Sequence, residues 1–458
     1  MKLSSERILA IGVCLYCLTY AFEGAVRYGL NLLGMDALIF VRDAVLLVPL
    51  AALAAKQTLQ RSLHPAFIIY LGIVLLHGTV FYLNFGLLPP ALLGAKVLLA
   101  MLAGAVSSST LMRPTPGIVR LFLVLWLVTF SGIALDKLGV VTMPWVGMRT
   151  VIGDVEVDIG RDWDMEQDSS SYRAGGLTRS SIHAANISPL IALLLMFHLR
   201  LWWQQLLVGV MTLPLVYWTT QKGSIVAFAV TWLIVTVFRS RSTIPLRLTF
   251  LLFLLACVLL PVILPGYYME TASAGGFSSA SFNMRVESMW PQAWTWIDRK
   301  GVFPFGVGLG GIGGGQQLFA RDYINAADNL FVFLYAYFGV MALVYLGMIL
   351  WSYLRTSAID KSNRQALSVL LFIIIYGCVL SMMEDQMTSL FTGAAIGWIA
   401  YGRNRAVESW MTQAAPKTKK LPRWRIGTVK AARPPPGSDV EQLPAPETPS
   451  QSPDVSPR

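Results

Sequence analysis

The residues best suited to chemistry are the arginines of two long polar stretches, residues 139–185 and 266–326, in an otherwise apolar chain. These arginines are Arg173, Arg179, Arg285 and Arg299. An arginine side chain is a planar, permanently charged fork of donors that binds phosphate in a bidentate way. The pattern favours an enzyme that handles a phosphate-bearing substrate, with ordinary interfacial arginine as the alternative.

Charged residues also lie inside or at the ends of the apolar segments, where each costs on the order of 2.5–3.5 kcal/mol at a helix centre. They are Arg42, Asp43, Lys96, Lys222, Glu384 and Asp385. Such residues need a partner or a water-filled cavity. Lys222 lies in the tight turn TTQKGS, residues 219–224, where it either faces an anion or extends to the membrane surface.

The second polar stretch predicts an amphipathic helix from Arg285 through Trp296 at the membrane interface. Its tryptophans would serve as interfacial anchors or as sugar-stacking faces. Glycines then follow Pro304, at positions 306, 308, 310 and 311. Glycine lets backbone N–H groups approach an anion closely, and a flexible lid is the alternative interpretation.

Metal and disulfide chemistry are not indicated. The four cysteines all fall in apolar segments and the four histidines are dispersed, so we expect neither a disulfide framework nor a structural zinc. Acidic residues recur from Asp154 to Asp168, but the stretch lacks the glycine and the terminal glutamate of a calcium loop. We expect a solvated or sugar-facing loop there.

The elements that position these residues must be membrane helices. Hydrophobic residues make up 55% of the 458 residues, charged residues 13%, and the mean hydropathy is +0.59. We therefore predict an all-α, polytopic bundle, because lipid leaves backbone groups no external partner. By the criterion of ~20 residues per span, about twelve helices are expected. They lie near 8–26, 37–55, 65–83, 88–107, 118–138, 184–199, 204–220, 223–238, 247–265, 327–350, 366–383 and 387–402.

Lysine and arginine set the predicted orientation. Positive charges recur in the connections near 56–61, 113–120, 239–247 and 355–364, and the opposing turns near 84–88 and 384–386 contain none. The positive-inside rule then places both termini in the cytoplasm and both long polar loops outside it. Residues 1–402 form the predicted membrane domain. Residues 403–458, basic and rich in proline, predict a disordered cytoplasmic tail that can lie on anionic lipid. Much of the net charge of +11 comes from this tail, so nucleic-acid binding is not implied.

The order of these motifs resembles the O-antigen ligase and Wzy polysaccharide polymerase superfamily. The resemblance covers roughly residues 170–350 and depends on order and topology. Its parts are RAGG from Arg173 with Asn186 downstream, the TTQKGS turn, the stretch from Arg285 to Trp294 followed by GVGLG from Gly306, and DNLF from Asp328.

The resemblance implies a metal-independent glycosyltransferase without a cofactor, in the bacterial inner membrane. Its donor would be an undecaprenyl-diphosphate-linked glycan and its acceptor a second lipid-linked repeat unit. A cationic cradle would stabilise the departing diphosphate while a base deprotonates the attacking hydroxyl. The implied cradle is Arg173, Lys222 and Arg285, extended by Arg179 and Arg299. The implied base is Asp328, with Glu287 in reserve. Asp328 and Asn329 suit helix capping equally well.

Three functions remain open from the sequence. The first is a Wzy-type polymerase of an exopolysaccharide or O-antigen, assisted by membrane lipids, a chain-length regulator and export proteins. The second is a ligase that transfers a finished glycan to another acceptor. The third is a lipid-linked oligosaccharide flippase or other transporter, which should show internal repeats that we do not find. Asp328 stands where ligases usually have histidine, which favours the polymerase.

Overall fold

The computed structural model describes residues 5–402 except 37, 39–40, 153–154, 161–171, 238–242, 268–272 and 275–276. All of these belong to one compact unit, residues 1–407. The predicted disordered tail and most of the acidic stretch of the first loop lie outside the described residues.

Helices form most of the described chain, in agreement with the predicted all-α class. They are α1 (Ser5–Ala21), α2 (Glu23–Leu32), α3 (Val41–Leu59), α4 (Pro65–Phe85), α5 (Pro89–Val106), α6 (Ser108–Met112), α7 (Pro116–Lys137), α8 (Ser181–Met196), α9 (Trp202–Trp218), α10 (Lys222–Val237), α11 (Ile244–Ile263), α12 (Ala280–Met284), α13 (Trp290–Lys300), α14 (Leu330–Phe338), α15 (Met341–Arg355), α16 (Lys361–Gly377) and α17 (Gln386–Gly397).

The two polar loops each carry a small antiparallel ribbon that the sequence did not predict. In the first loop, β1 (Arg149–Ile152) pairs with β2 (Val155–Asp158), with Arg149 opposite Asp158. In the second, β3 (Ser273–Ala274) pairs with β4 (Phe277–Ser278). Alternating apolar and acidic residues suit a strand as well as a loop, which is why composition alone did not reveal the hairpin.

Four helices are long and apolar enough to cross a membrane: α4, α5, α7 and α11, with 18–22 residues each. The bent pair α1 and α2 adds a fifth candidate span. Apolar side chains of α4 such as Ile68, Leu71 and Leu75 are exposed, as expected for a helix that contacts lipid. The protein is therefore helical with four to five candidate membrane spans.

Two segments that the sequence predicts as continuous helices are broken in the structure. The first bends by 79° between α1 and α2, where Glu23 is buried. The second divides at Gly339, which has a φ of +57° and ends α14. After this break, the backbone N–H of Val340 donates to the Pro304 carbonyl, 2.8 Å away, in place of a helical bond. Apolar composition predicts the span but not the position at which the helical hydrogen bonding is interrupted.

The core is centred on α16, which is buried along nearly its whole length. Helices α10, α11 and α17 pack against it. Helix α17 in turn packs closely on α5, because a Cβ atom at Gly104 or Gly393 would overlap the backbone of the other helix. We call the end of the bundle where α16 terminates the site end. Helices α8, α10, α14 and α17 all begin there.

Candidate functional site

Arg285 and Asp328 form an ion pair at the site end, with a guanidinium nitrogen 2.8 Å from a carboxylate oxygen. Their side chains are 17% and 16% exposed. Arg285 begins a single π-helical turn, Arg285–Met289, between α12 and α13. Such turns are frequent at functional sites. Burial raises the pKa of Asp328 above its ordinary value, although the ion pair with Arg285 acts in the opposite direction.

The backbone before α14 is strained where it presents Asp328. Ala327 and Asp328 have φ values of +62° and +40°. Residues other than glycine rarely adopt this region of backbone conformation. Thr220, in the turn before Lys222, has a φ of +57°. Strain of this kind persists only where the surrounding structure holds it, and it concentrates at functional sites.

Asn329 is one of the residues that fix the strained backbone at Ala327 and Asp328. Its side-chain oxygen accepts from the Val332 N–H at 3.0 Å, so Asn329 caps α14. Its side-chain nitrogen donates to the carbonyls of Cys257 and Cys378, both at 3.1 Å. The capping role that the sequence left open belongs to Asn329, while the Asp328 carboxylate faces Arg285.

Arg173 lies in a turn that Asp136 organises from the end of α7. The Asp136 carboxylate accepts from the backbone N–H groups of Gly175 and Gly176, both at 2.9 Å, and from the Tyr172 hydroxyl at 2.6 Å. The N–H of Ala174 donates to the carbonyl of Trp218 at 3.1 Å, which fastens this turn to the end of α9.

Lys222 begins α10 directly after the short turn that follows α9. Burial and the positive charge of nearby Arg173 both lower the pKa of Lys222. The next residue, Gly223, packs on the ring of Tyr376 near the end of α16, since a Cβ there would lie 2.9 Å from a ring carbon. Tyr376 is in turn within electrostatic reach of Arg285 and Asp328. Tyr376 therefore lies beside both the start of α10 and the Arg285–Asp328 pair.

Two of the other three predicted site residues, Arg179 and Arg299, lie apart from this group, and the third, Glu287, is exposed to solvent. Arg179 is within electrostatic reach of Glu23, in a different charge cluster. Arg299 is exposed near the end of α13, about 20 Å along the helical segment from Arg285 at ~1.5 Å per residue. Glu287 is exposed in the π-helical turn.

A buried charge cluster around Glu23 was not predicted. Glu23 is 3% exposed and pairs with Arg27 at 2.6 Å and Arg42 at 2.5 Å. His183 lies between Glu23 and Asp385, with Nε2 4.0 Å and 3.8 Å from their carboxylates. An acidic residue inside an apolar segment was the signal available for Glu23. Arg27 is four residues further along the same helix, but Arg42 and His183 come from α3 and α8, and no local pattern predicts those contacts.

Several of the charged residues in or next to the apolar segments have polar partners in the structure. Lys96 pairs with Asp43 at 2.6 Å. Arg42 donates to the side chain of Gln386 at 2.5 Å. Asp385 caps α17 by accepting from the Thr388 N–H at 2.9 Å. These contacts hold α3, α5 and α17 together at the site end.

The glycine run packs against helices. A Cβ at Gly308 would lie 2.7 Å from the His77 carbonyl on α4, and one at Gly310 would overlap the Pro90 carbonyl on α5. The N–H of Gly314 donates to the Glu384 carboxylate at 2.8 Å. The glycines thus allow close contact between backbones, which differs from both the anion-binding and the flexible-lid interpretations.

The predicted helix after Arg285 is present, but its tryptophans face protein. Trp290 is fully buried. The indole N–H groups of Trp294 and Trp296 donate to the carbonyls of Pro261 and Gly311, at 2.6 and 2.8 Å. Trp294 and Trp296 are half-buried, and their indole groups tie this helix to α11 and to the glycine run.

Among the described residues, no group of three or more histidine, cysteine, aspartate or glutamate side chains is arranged to hold a metal ion. Neither a protein-family model nor a curated protein sequence matches the chain. The candidate functional residues are therefore the four charged groups at the site end: Arg173, Lys222, Arg285 and Asp328.

Proposed function

We propose that this protein is a Wzy-type polysaccharide polymerase that joins undecaprenyl-diphosphate-linked repeat units on the outer face of the bacterial inner membrane. The observation that carries the proposal is the Asp328 carboxylate, paired with Arg285 at 2.8 Å at the end of the helix bundle where α10 begins with Lys222. A carboxylate beside several cations suits a transfer in which a proton is removed while a diphosphate departs.

The cations supply the charge stabilisation. A diphosphate competes with Asp328 for Arg285, because both offer anionic oxygens to the same guanidinium. Arg173 and Lys222 add positive charge, and the nearby N-termini of α10 and α14 contribute partial positive charge of their own. Their fixed positions mean that little reorganisation accompanies the growth of negative charge on the leaving group.

Asp328 supplies the base. Once released from Arg285, its carboxylate accepts the proton of an acceptor sugar hydroxyl. The hydroxyl oxygen forms a bond to the anomeric carbon of the donor sugar. The bond between that carbon and the diphosphate oxygen breaks, and its electron pair stays with the lipid diphosphate.

The proposed topology has about twelve spans at ~20 residues each, with both termini cytoplasmic and both polar loops outside the cytoplasm. It is supported by the lysine and arginine residues of the short connections at the end opposite the site end. At the end opposite the site end, Arg113 pairs with Asp360 at 3.5 Å and Arg247 donates to the Thr356 carbonyl at 3.2 Å. Positively charged ends of this kind are typical of the cytoplasmic side.

The test is deletion of the gene, followed by mass spectrometry of the lipid-linked glycans and of the secreted polysaccharide. Accumulation of single repeat units on undecaprenyl diphosphate, with loss of polymer, is the expected result. Long polymer retained on the lipid carrier would instead identify a ligase, and unchanged glycans would exclude both enzymes. A gene encoding Arg285→Ala should fail to restore polymer, whereas Arg113→Ala, at the opposite end, should restore it.

A further inference from the structure

Tyr376 has a buried hydroxyl that the fold does not use. The residue is 1% exposed, and its hydroxyl oxygen has no hydrogen-bond partner among the described residues. Other buried tyrosines are bonded: the Tyr353 hydroxyl donates to the carbonyls of Leu246 and Leu367 at 3.3 and 3.2 Å. Because a buried, unpaired hydroxyl is costly, Tyr376 is a candidate for a ligand contact.

Its surroundings specify the kind of ligand. Tyr376 is the penultimate residue of α16, and its ring packs on Gly223, next to Lys222. Two residues further on, the Cys378 carbonyl is bonded to Asn329, which holds the segment that carries Asp328. The charges of Arg285, Asp328 and Asp385 all reach the Tyr376 hydroxyl. The hydroxyl thus lies near the Arg285–Asp328 pair, on a ring that also packs against the start of α10.

We propose that Tyr376 is a further substrate-binding residue, whose hydroxyl donates a hydrogen bond to an oxygen of the polyprenyl diphosphate. The inference depends on the proposed function, because it assigns a contact within the same site. Entry of the diphosphate separates Arg285 from Asp328 and brings an anionic acceptor to the hydroxyl. A phosphate oxygen is favoured over a sugar hydroxyl because Arg285 attracts negative charge to this position and an ionised acceptor strengthens the bond.

The experiment measures binding separately from catalysis. The full-length protein, purified in detergent, is titrated with farnesyl diphosphate as the probe, and the Kd is obtained by calorimetry. Tyr376→Phe removes only the hydroxyl oxygen. Because that oxygen has no partner in the structure, we expect the melting temperature to stay the same and the Kd to rise about tenfold or more, as for a bond to a charged group.

The matched control is Tyr353→Phe, which should lower the melting temperature and leave the Kd unchanged. Arg285→Ala serves as the reference for the site. If the wild type and Arg285→Ala both fail to bind the probe, the proposed function is refuted and the role of Tyr376 with it. If the wild type binds, Arg285→Ala weakens binding and Tyr376→Phe binds as the wild type does, only the inference about Tyr376 is refuted.

Discussion

The ion pair between Arg285 and Asp328 makes a quantitative prediction, because stability and activity should respond to it in different ways. At 2.8 Å the gross attraction is about 6 kcal/mol for an effective dielectric constant of ~20. Loss of one partner of a buried pair costs about 3–5 kcal/mol, and surface pairs contribute about 0.2–1 kcal/mol. With side chains 17% and 16% exposed, this pair falls between those limits, and we expect a coupling energy of about 2 kcal/mol.

Asp328→Asn should therefore lower the melting temperature, because Arg285 keeps a partly buried charge without its partner. Arg285→Ala should lower it as well. The double variant should recover about 2 kcal/mol relative to the sum of the two single effects, since neither charge then remains unpaired. Activity should not recover: loss of the base reduces the rate by about 10²–10⁴-fold, and the double variant lacks both groups.

The assay is a double-mutant cycle on the purified protein, with thermal unfolding and repeat-unit polymerisation measured on the same preparations. The control cycle uses Arg113 and Asp360, whose side chains are 49% and 44% exposed and 3.5 Å apart. That pair should show coupling of about 0.2–1 kcal/mol and no loss of polymerisation. Additive effects on stability for Arg285 and Asp328, or full activity in Asp328→Asn, would refute the reasoning.

Three further predictions concern pH, the buried charges and the glycine run. Only the ionised Asp328 carboxylate can accept a proton, so activity should fall as the pH drops through the raised pKa of Asp328. The measurement is a pH–rate profile. A fall in activity only at or below the pKa of a free aspartate would contradict the prediction. Glu23→Ala removes the buried ion pairs with Arg27 and Arg42 and should cost about 3–5 kcal/mol, seen as loss of folded protein, whereas Glu6→Ala at an exposed position should have no effect. Gly310 has a φ of +79°, and Gly310→Ala would place a methyl group against a carbonyl of α5, so it should reduce the yield of folded protein. Gly347→Ala is the control, because a Cβ there meets nothing within 4 Å. Equal yields of the two variants would contradict the prediction.

Particular residues show how far sequence reasoning reached. The need of Lys96 and Arg42 for partners followed from the cost of burying charge, and the structure supplies Asp43 and Glu23. The partners themselves come from helices distant in sequence, so no local pattern could identify them. Arg299 resembled Arg285 in type and context, yet about 20 Å of helix separates them by the ordinary helical rise.

The role of the glycine run was also beyond the sequence. Glycine permits both an approach to an anion and an approach to another backbone, and the two uses leave the same residues in the chain. Only the positions of α4 and α5 show that Gly308 and Gly310 serve helix packing. The unpaired hydroxyl of Tyr376 could not be predicted from the sequence either. An apolar segment that ends in tyrosine predicts that the side chain is buried, but not that its hydroxyl lacks a hydrogen-bond partner.

The sequence by itself determined that the chain is helical and suited to a membrane, because composition and apolar run length decide whether a segment is stable in lipid. It also marked the charged residues that burial would penalise. The tertiary structure alone decided which of them meet, and where the helices break at Glu23 and Gly339. The reason is physical: ion pairs, strained turns and close backbone contacts depend on distances between segments far apart in the chain, and those distances are set by packing around α16.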